Sequence, residues 1–298
     1  MDVHVRDLRY FTGVAQELNF TRAAERLHIS QPALSKQIRA LERQLGFPLF
    51  ERRAREVALT PQGAALLPAA LRLVGDWADA VRGARAAGAP FSLTMGLQTA
   101  VGRDLQREVM ADFRERGWRI TLRLVSWEDP SAGLTDGGSD AALLWLPLTG
   151  PGLSHRTLVR EPRWVAMPAD HPLATGPEAD FADLLDEPFV ALPRSAGPLR
   201  DFWLGTAERE GREPIVGAEA ASPDEVFEAV AAGLGVALLA EGNTRLYQRP
   251  DVVCRPVRGL GPSELAVVWR TGDRRPEIAE LVAAFVARGR PVRGPRAR

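Results

Sequence analysis

The stretch "FTRAAERLHISQPALSKQIRALERQLG", Phe20 to Gly46, constrains this chain more than any other. It reads as two short amphipathic helices joined by only His28 and Ile29. Ser30 is suited to cap the second helix, because its hydroxyl can accept from a first-turn amide. Pro32 is tolerated just inside, since first-turn amides lack an intrahelical acceptor in any case. Leu34, Ile38, Leu41 and Leu45 then recur at helical spacing, a stripe that must be buried. Gly46 is placed to stop the helix. At about 100° per residue, Pro32, Lys36, Arg39 and Arg43 fall opposite the stripe. Gln31 and Ser35 flank it near the N-terminal end.

Two helices on a tight turn, the second with polar and basic groups outward, form a helix-turn-helix. The major groove admits one α-helix and offers donors and acceptors on its base edges. Gln31, Pro32, Ser35 and Lys36 sit at the end that reaches deepest and are the candidates for reading bases. Pro32 suits a thymine methyl, and Lys36 suits guanine. Thr21, Arg39, Arg52, Arg53 and Arg55 are candidates for phosphates, which position a protein without specifying sequence. The competing reading is a merely solvated face, which periodicity alone leaves open. The short turn, the cap, the polar first turn and a following wing together favour DNA.

The flanking segments fit that unit. Arg6 to Leu18 has a helical pattern, with Leu8, Phe11, Ala15 and Leu18 on one face. Asn19 and Phe20 read as a connection, with Thr21 as the next cap. "PLFER" and "EVALT" read as the two strands of the wing, joined through Arg53, Ala54 and Arg55. Thr60 and Pro61 mark a new helix start. Leu67, Leu71, Val74, Ala78 and Val81 give that helix a heptad-like seam, so it needs a partner. Pro68 calls for a kink or a later start. "AAGAP", Ala86 to Pro90, is the expected hinge.

From Phe91 onward β and α patterns alternate, which predicts parallel sheets with helices on their faces. Strands are expected at "FSLTMGL", "RITLRLV", "DAALLWL", "WVAMP", "FVALP", "PIVGAEA", "VALLA" and "ELAVVWR". Helices are expected at Arg103 to Arg116, Pro223 to Ala232 and Glu277 to Ala287. The tail "RGRPVRGPRAR" has no apolar period, so residues 288–298 are expected to be disordered.

Charge and cysteine usage narrow the function. The formal net charge is +0, yet residues 1–88 hold 13 Lys and Arg against 9 Asp and Glu. The first part is therefore basic and the remainder acidic, which points to different partners. Lys36 is the only lysine, and Cys254 the only cysteine. An intramolecular disulfide and a Cys-based zinc site are excluded. No leader pattern opens the chain and no apolar run approaches about 18 residues, so a cytoplasmic, non-membrane protein is expected. No Gly-x-Ser-x-Gly, phosphate-binding glycine loop or His-Glu-x-x-His is present, and the four histidines have no ligand spacing. The sequence therefore argues against an enzyme, and no cofactor or metal is expected. Asp136-Gly-Gly-Ser-Asp140 reads as a turn.

Asp7 to Leu67 resembles the N-terminal region of LysR-type transcriptional regulators. The resemblance rests on Phe-Thr-x-Ala-Ala-x-x-Leu, Ser-Gln-Pro-Ala-Leu-Ser, Ile-x-x-Leu-Glu, Leu-Gly-x-Pro-Leu-Phe-x-Arg and Leu-Thr-Pro-x-Gly, in that order. "MPADHPLA" and "AVAAGLGVALLAE" extend it to about residue 287. It implies a multidomain α and α/β fold. A winged helix-turn-helix would occupy residues 1–60, and a linker helix that pairs subunits, with its hinge, residues 61–89. Residues 90–287 would form a two-lobed α/β effector domain like that of periplasmic binding proteins. Lobe I would hold residues 90–162 and 265–287, and lobe II residues 163–264. The resemblance further implies a dimer, commonly a dimer of dimers, on a pseudo-palindromic operator in double-stranded DNA. It also implies a small effector that alters DNA bending and contact with RNA polymerase. The runner-up reading is an effector-independent regulator with an occluded cleft.

In such a domain a ligand sits between the lobes, beyond strand C-termini and at helix N-termini. Gln98 and Thr99 would offer side-chain hydrogen bonds there, and the amides of Ala100 and Val101 would meet an anion. Arg194 and Ser195 lie on the matching loop of lobe II, and Trp145 would form an apolar wall. Two departures stand out. The wing turn has Ala54, Glu56 and Ala58 where relatives commonly carry Gly and several cations. Trp145 and Leu146 stand where many relatives place polar residues beside the cleft.

Overall fold

The computed structural model describes residues 3–53, 56–86, 92–99, 105–149 and 152–289. Two compact units divide the chain between Ala89 and Pro90.

The N-terminal unit opens with α1 (Val5–Glu17), α2 (Phe20–Arg26) and α3 (Gln31–Leu45). Asn19, not Thr21, caps α2: its side chain accepts from the amides of Thr21 and Arg22 at 2.9 and 3.1 Å. An Asn side chain reaches the second and third amides while its own backbone stays extended, so the helix begins at Phe20. α2 then ends without glycine. His28 takes φ 54°, its amide bonds to the Glu25 carbonyl, and the Ile29 amide bonds to that of Ala24. That pair of bonds ends the helix within two residues. The Ser30 hydroxyl caps α3, and Gly46 closes it at φ 81°.

The wing is β1 (Phe50–Arg53) paired antiparallel with β2 (Glu56–Leu59). Glu42 ties it to α3, accepting from the amides of Leu49 and Phe50 at 2.9 and 3.3 Å. α4 (Pro61–Ala86) follows. The Thr60 hydroxyl accepts from the Gly63 amide and donates to the Pro48 carbonyl. Gly63 is required by contact, since a Cβ there would stand 2.2 Å from the Leu49 carbonyl oxygen. α4 runs through Pro68 as one helix from Pro61, so the later start is not taken. Two residues of its expected seam are used within the unit. Leu67 and Val74 turn into a core with Phe11, Val14, Ile38 and Ala70, leaving Leu73 and Trp77 exposed.

The second unit has two lobes. Lobe I is built on β3 (Ser92–Leu97), α5 (Leu105–Glu115), β4 (Arg119–Leu124), β5 (Ala141–Trp145) and β6 (Leu153–Glu161). At Pro162 the chain crosses into lobe II. There lie β7 (Arg163–Pro168), β8 (Ala179–Asp180), β9 (Phe189–Ala191), α6 (Pro198–Trp203), β10 (Val216–Glu219), α7 (Pro223–Ala231), β11 (Ala237–Ala240), α8 (Glu241–Thr244) and β12 (Val252–Arg258). It returns through β13 (Ser263–Arg270) and α9 (Pro276–Arg288).

The sheets are mixed: the expected parallel pairing holds among β3, β4 and β5, and antiparallel pairs accompany it. Lobe I has the order β4-β3-β5-β13-β6; β3 is parallel to β4 and β5, while β13 is antiparallel to β5 and β6. Lobe II has β11-β7-β12-β8, antiparallel through β7. The double crossing causes this, because the returning strand enters lobe I from the opposite direction. Arg163 pins both crossings. It is buried, bonds the Gly261 and Phe202 carbonyls at 2.8 Å each, pairs with Glu208 and lies 4.4 Å above the Phe202 ring.

Candidate nucleic-acid interface and effector cleft

On α3 the stripe Leu34, Ile38 and Leu41 is buried, while Gln31, Pro32, Lys36, Arg39 and Arg43 are exposed. The Gln31 amide donates to the Ser35 hydroxyl at 2.9 Å, and the Arg39 Nε donates to the Ser35 carbonyl at 3.2 Å. Ser35 itself is buried, so in this state its hydroxyl orients Gln31 from beneath. Thr21 is exposed at the start of α2. Arg52 and Arg53 stand on β1, but their side chains, like all of Arg55, lie outside the described residues.

In the second unit, β3, β4 and β5 are parallel, with β3 between the other two. The chain leaves β3 toward β4 and then jumps back across it to β5. That reversal opens a crevice beyond the carboxyl ends of β3 and β5. Thr99 follows β3, and Trp145 is the last residue of β5. Both line a cavity of about 60 Å³ shared with lobe II. Trp127 joins them from lobe I, and Leu192, Trp203, Val226, Phe227, Asn243 and Tyr247 face them from lobe II.

The lobes meet around this cavity. The Trp127 amide donates to the Ala221 carbonyl at 3.0 Å, and the Ser126 hydroxyl donates to the same oxygen. Trp145 and Trp203 pack edge to face at 6.1 Å. Phe227 and Tyr247 stack at 5.0 Å. Two polar atoms on the lining residues, Trp145 Nε1 and Asn243 Oδ1, are buried and have no hydrogen-bond partner.

Other expected cleft residues stand elsewhere. Gln98 is buried, and its amide donates to the Asp129 carbonyl at 2.8 Å; it does not line the cavity. Arg194 and Ser195 are exposed on a short 3-10 turn and do not line it either. Ala100 and Val101 lie outside the described residues. Sequence reasoning missed Trp127, Trp203, Asn243 and Tyr247. Tryptophans at three separated positions were the available signal, but nothing local brings them together.

Among the described residues, no group of His, Cys, Asp and Glu could hold a metal ion, and no helix is long and apolar enough to cross a membrane. Burial pushes the Cys254 thiol up to about 11, so little thiolate forms near neutral pH.

A winged helix-turn-helix followed by a two-lobed α/β unit with an interlobe cavity defines a DNA-binding regulator with an effector domain. Residues 5–64 match the bacterial regulatory helix-turn-helix family of lysR type, and residues 88–290 match the LysR substrate binding domain. The chain belongs to the LysR family of transcriptional regulators. It is 35% identical over 286 residues to the Hca operon transcriptional activator HcaR of Escherichia coli K12, covering 94% of this chain and 96% of that one. It is also similar to the structure of a full-length OxyR variant from Pseudomonas aeruginosa, at 28% identity and a TM-score of 0.53, covering 96% and 100%. Full-length CbnR in complex with its target DNA shares the fold, at 22% identity and a TM-score of 0.52, covering 97% and 100%. These relatives are regulators rather than enzymes, and an effector-independent role is not favoured.

Proposed function

We propose that α3 reads an operator in the major groove while a small effector, held where Thr99 and Trp145 meet lobe II, adjusts that reading. Gln31, Pro32 and Lys36 specify bases, and the buried Ser35 orients Gln31 for that contact. Thr21, Arg39, Arg52, Arg53 and Arg55 hold phosphates. The observation that carries this is the division of α3 into a buried apolar stripe and an exposed face whose Gln31 is already oriented by Ser35. CbnR, which shares this fold, has been solved in complex with its target DNA.

The remaining parts follow. Residues 1–60 serve as the DNA-binding domain, and residues 61–89 pair subunits. Leu73 and Trp77 are the apolar face that α4 offers a second copy, exposed at 54% and 58%. Two α3 helices related by a two-fold axis read a pseudo-palindrome. Pairing of such dimers, contact with RNA polymerase and a cytoplasmic location complete the reading.

Genome-wide footprinting, followed by retardation of the recovered sites across a salt series, tests it. Affinity should fall linearly on a log–log plot with a slope of about −0.9 per phosphate contact. Recovery of no reproducible site would contradict the proposal.

A further inference from the structure

We infer that the effector is an uncharged, ring-bearing small molecule that carries both a hydrogen-bond acceptor and a donor. This rests on the interlobe cavity being the effector site.

Charge comes first. Among the described residues, no Asp, Glu, Lys or Arg lines the cavity; its polar members are Thr99, Asn243 and the Trp and Tyr edges. Arg200, a lobe II cation that touches the lining, is already engaged. Arg200 donates to the carbonyl of the lining residue Leu192 and pairs with Glu219 at 2.8 Å. A carboxylate or ammonium placed among these walls would lose its hydration without gaining a counter-ion.

Shape comes second. Trp127, Trp145, Trp203, Phe227 and Tyr247 surround the space, and aromatic walls favour an aromatic guest in offset or edge-to-face contact. The cavity of about 60 Å³ is smaller than the roughly 150 Å³ that accepts benzene, so a ring must part the lobes. The contacts that must yield include the Trp145–Trp203 edge, the two bonds to the Ala221 carbonyl, the Thr149 bond to the Ala196 carbonyl, and the packing of Leu192 and Leu199 against the lobe I core.

Hydrogen bonding comes third. Trp145 Nε1 is a donor only and Asn243 Oδ1 an acceptor only, and each is buried and unpartnered. An orphaned buried polar group is costly, so a ligand that reaches both atoms once the lobes part recovers free energy on binding. That demands one acceptor for Trp145 and one donor for Asn243. A primary amide on an aromatic ring has both.

The test uses the full chain and four near-isosteric probes: benzamide, benzoate, benzamidinium and toluene. Binding is read by tryptophan fluorescence and by thermal shift. Benzamide should bind at least tenfold more tightly than the other three. Trp145→Phe, which keeps the ring and removes the donor, and Asn243→Leu should each weaken benzamide about tenfold or more. Val226→Phe, which fills the cavity, should abolish its binding. Tighter binding of benzoate or benzamidinium would overturn the ligand class while leaving the cleft as the site. Benzamide binding unchanged in Val226→Phe would remove the cleft itself. No benzamide binding at millimolar concentration would overturn the inference.

Discussion

The two surfaces proposed to meet DNA and effector are built in opposite ways. The face of α3 is contiguous in sequence, polar and open: Gln31 to Arg43 carry it on one helix, and its polar groups wait in water. The interlobe cleft is dispersed and apolar: Thr99, Trp127, Trp145, Trp203, Val226 and Asn243 come from both lobes, and two of its polar atoms, Trp145 Nε1 and Asn243 Oδ1, are buried without a hydrogen-bond partner. A partner as highly charged as DNA is met by an exposed, hydrated surface. A small guest is met by walls that gain most when water leaves. On the proposed reading, one surface should respond to salt and the other to ligand polarity.

That contrast can be broken most severely at Gly63. A Cβ there would collide with the Leu49 carbonyl, so Gly63→Ala should cost the N-terminal unit about 3 kcal/mol. Thermal unfolding should show its transition lowered, with benzamide binding by the second unit retained. Next in size is Lys36→Ala, which should cost about 2 kcal/mol at a single operator base pair, read by competition among base-pair variants.

A smaller effect is expected at Asp273. Burial alone would raise its pKa, but hydrogen bonds from Arg275 at 2.7 and 3.0 Å and the charge of Arg270 hold it below the ordinary carboxylate value. A depressed folded-state pKa contributes stability above the unfolded value and loses it as pH falls through the folded one. Asp273→Asn should therefore destabilise the second unit by about 1–2 kcal/mol near neutral pH, since Arg275 is partly exposed. The gap should close below about pH 4, as denaturant titrations across pH would show. Least of all, Arg39→Ala should weaken all DNA alike and flatten the salt slope by about 1.

The same contrast explains what could be read from the sequence. α3 was legible because cap, stripe and stop are local: Ser30, Leu34 to Leu45, and Gly46. The exposed apolar face of α4, proposed to pair subunits, was not. Its heptad pattern includes Leu67 and Val74, which the unit's own core claims, and the exposed face falls on Leu73 and Trp77. At the cleft, Thr99 and Trp145 were legible because strand ends mark a crevice. Gln98 is drawn away by the Asp129 carbonyl, a partner 31 residues distant that no local pattern reveals. The antiparallel pairing of β13 follows from the second lobe crossing, which alternation of β and α cannot signal.

The central claim is that the exposed face of α3 recognises base edges. Replacing single operator guanines with 7-deazaguanine, which lacks the N7 acceptor, tests it against wild type and Lys36→Ala together. The account predicts one position where the replacement costs wild type tenfold or more in affinity and costs Lys36→Ala almost nothing. Equal losses in both proteins at every position would contradict it.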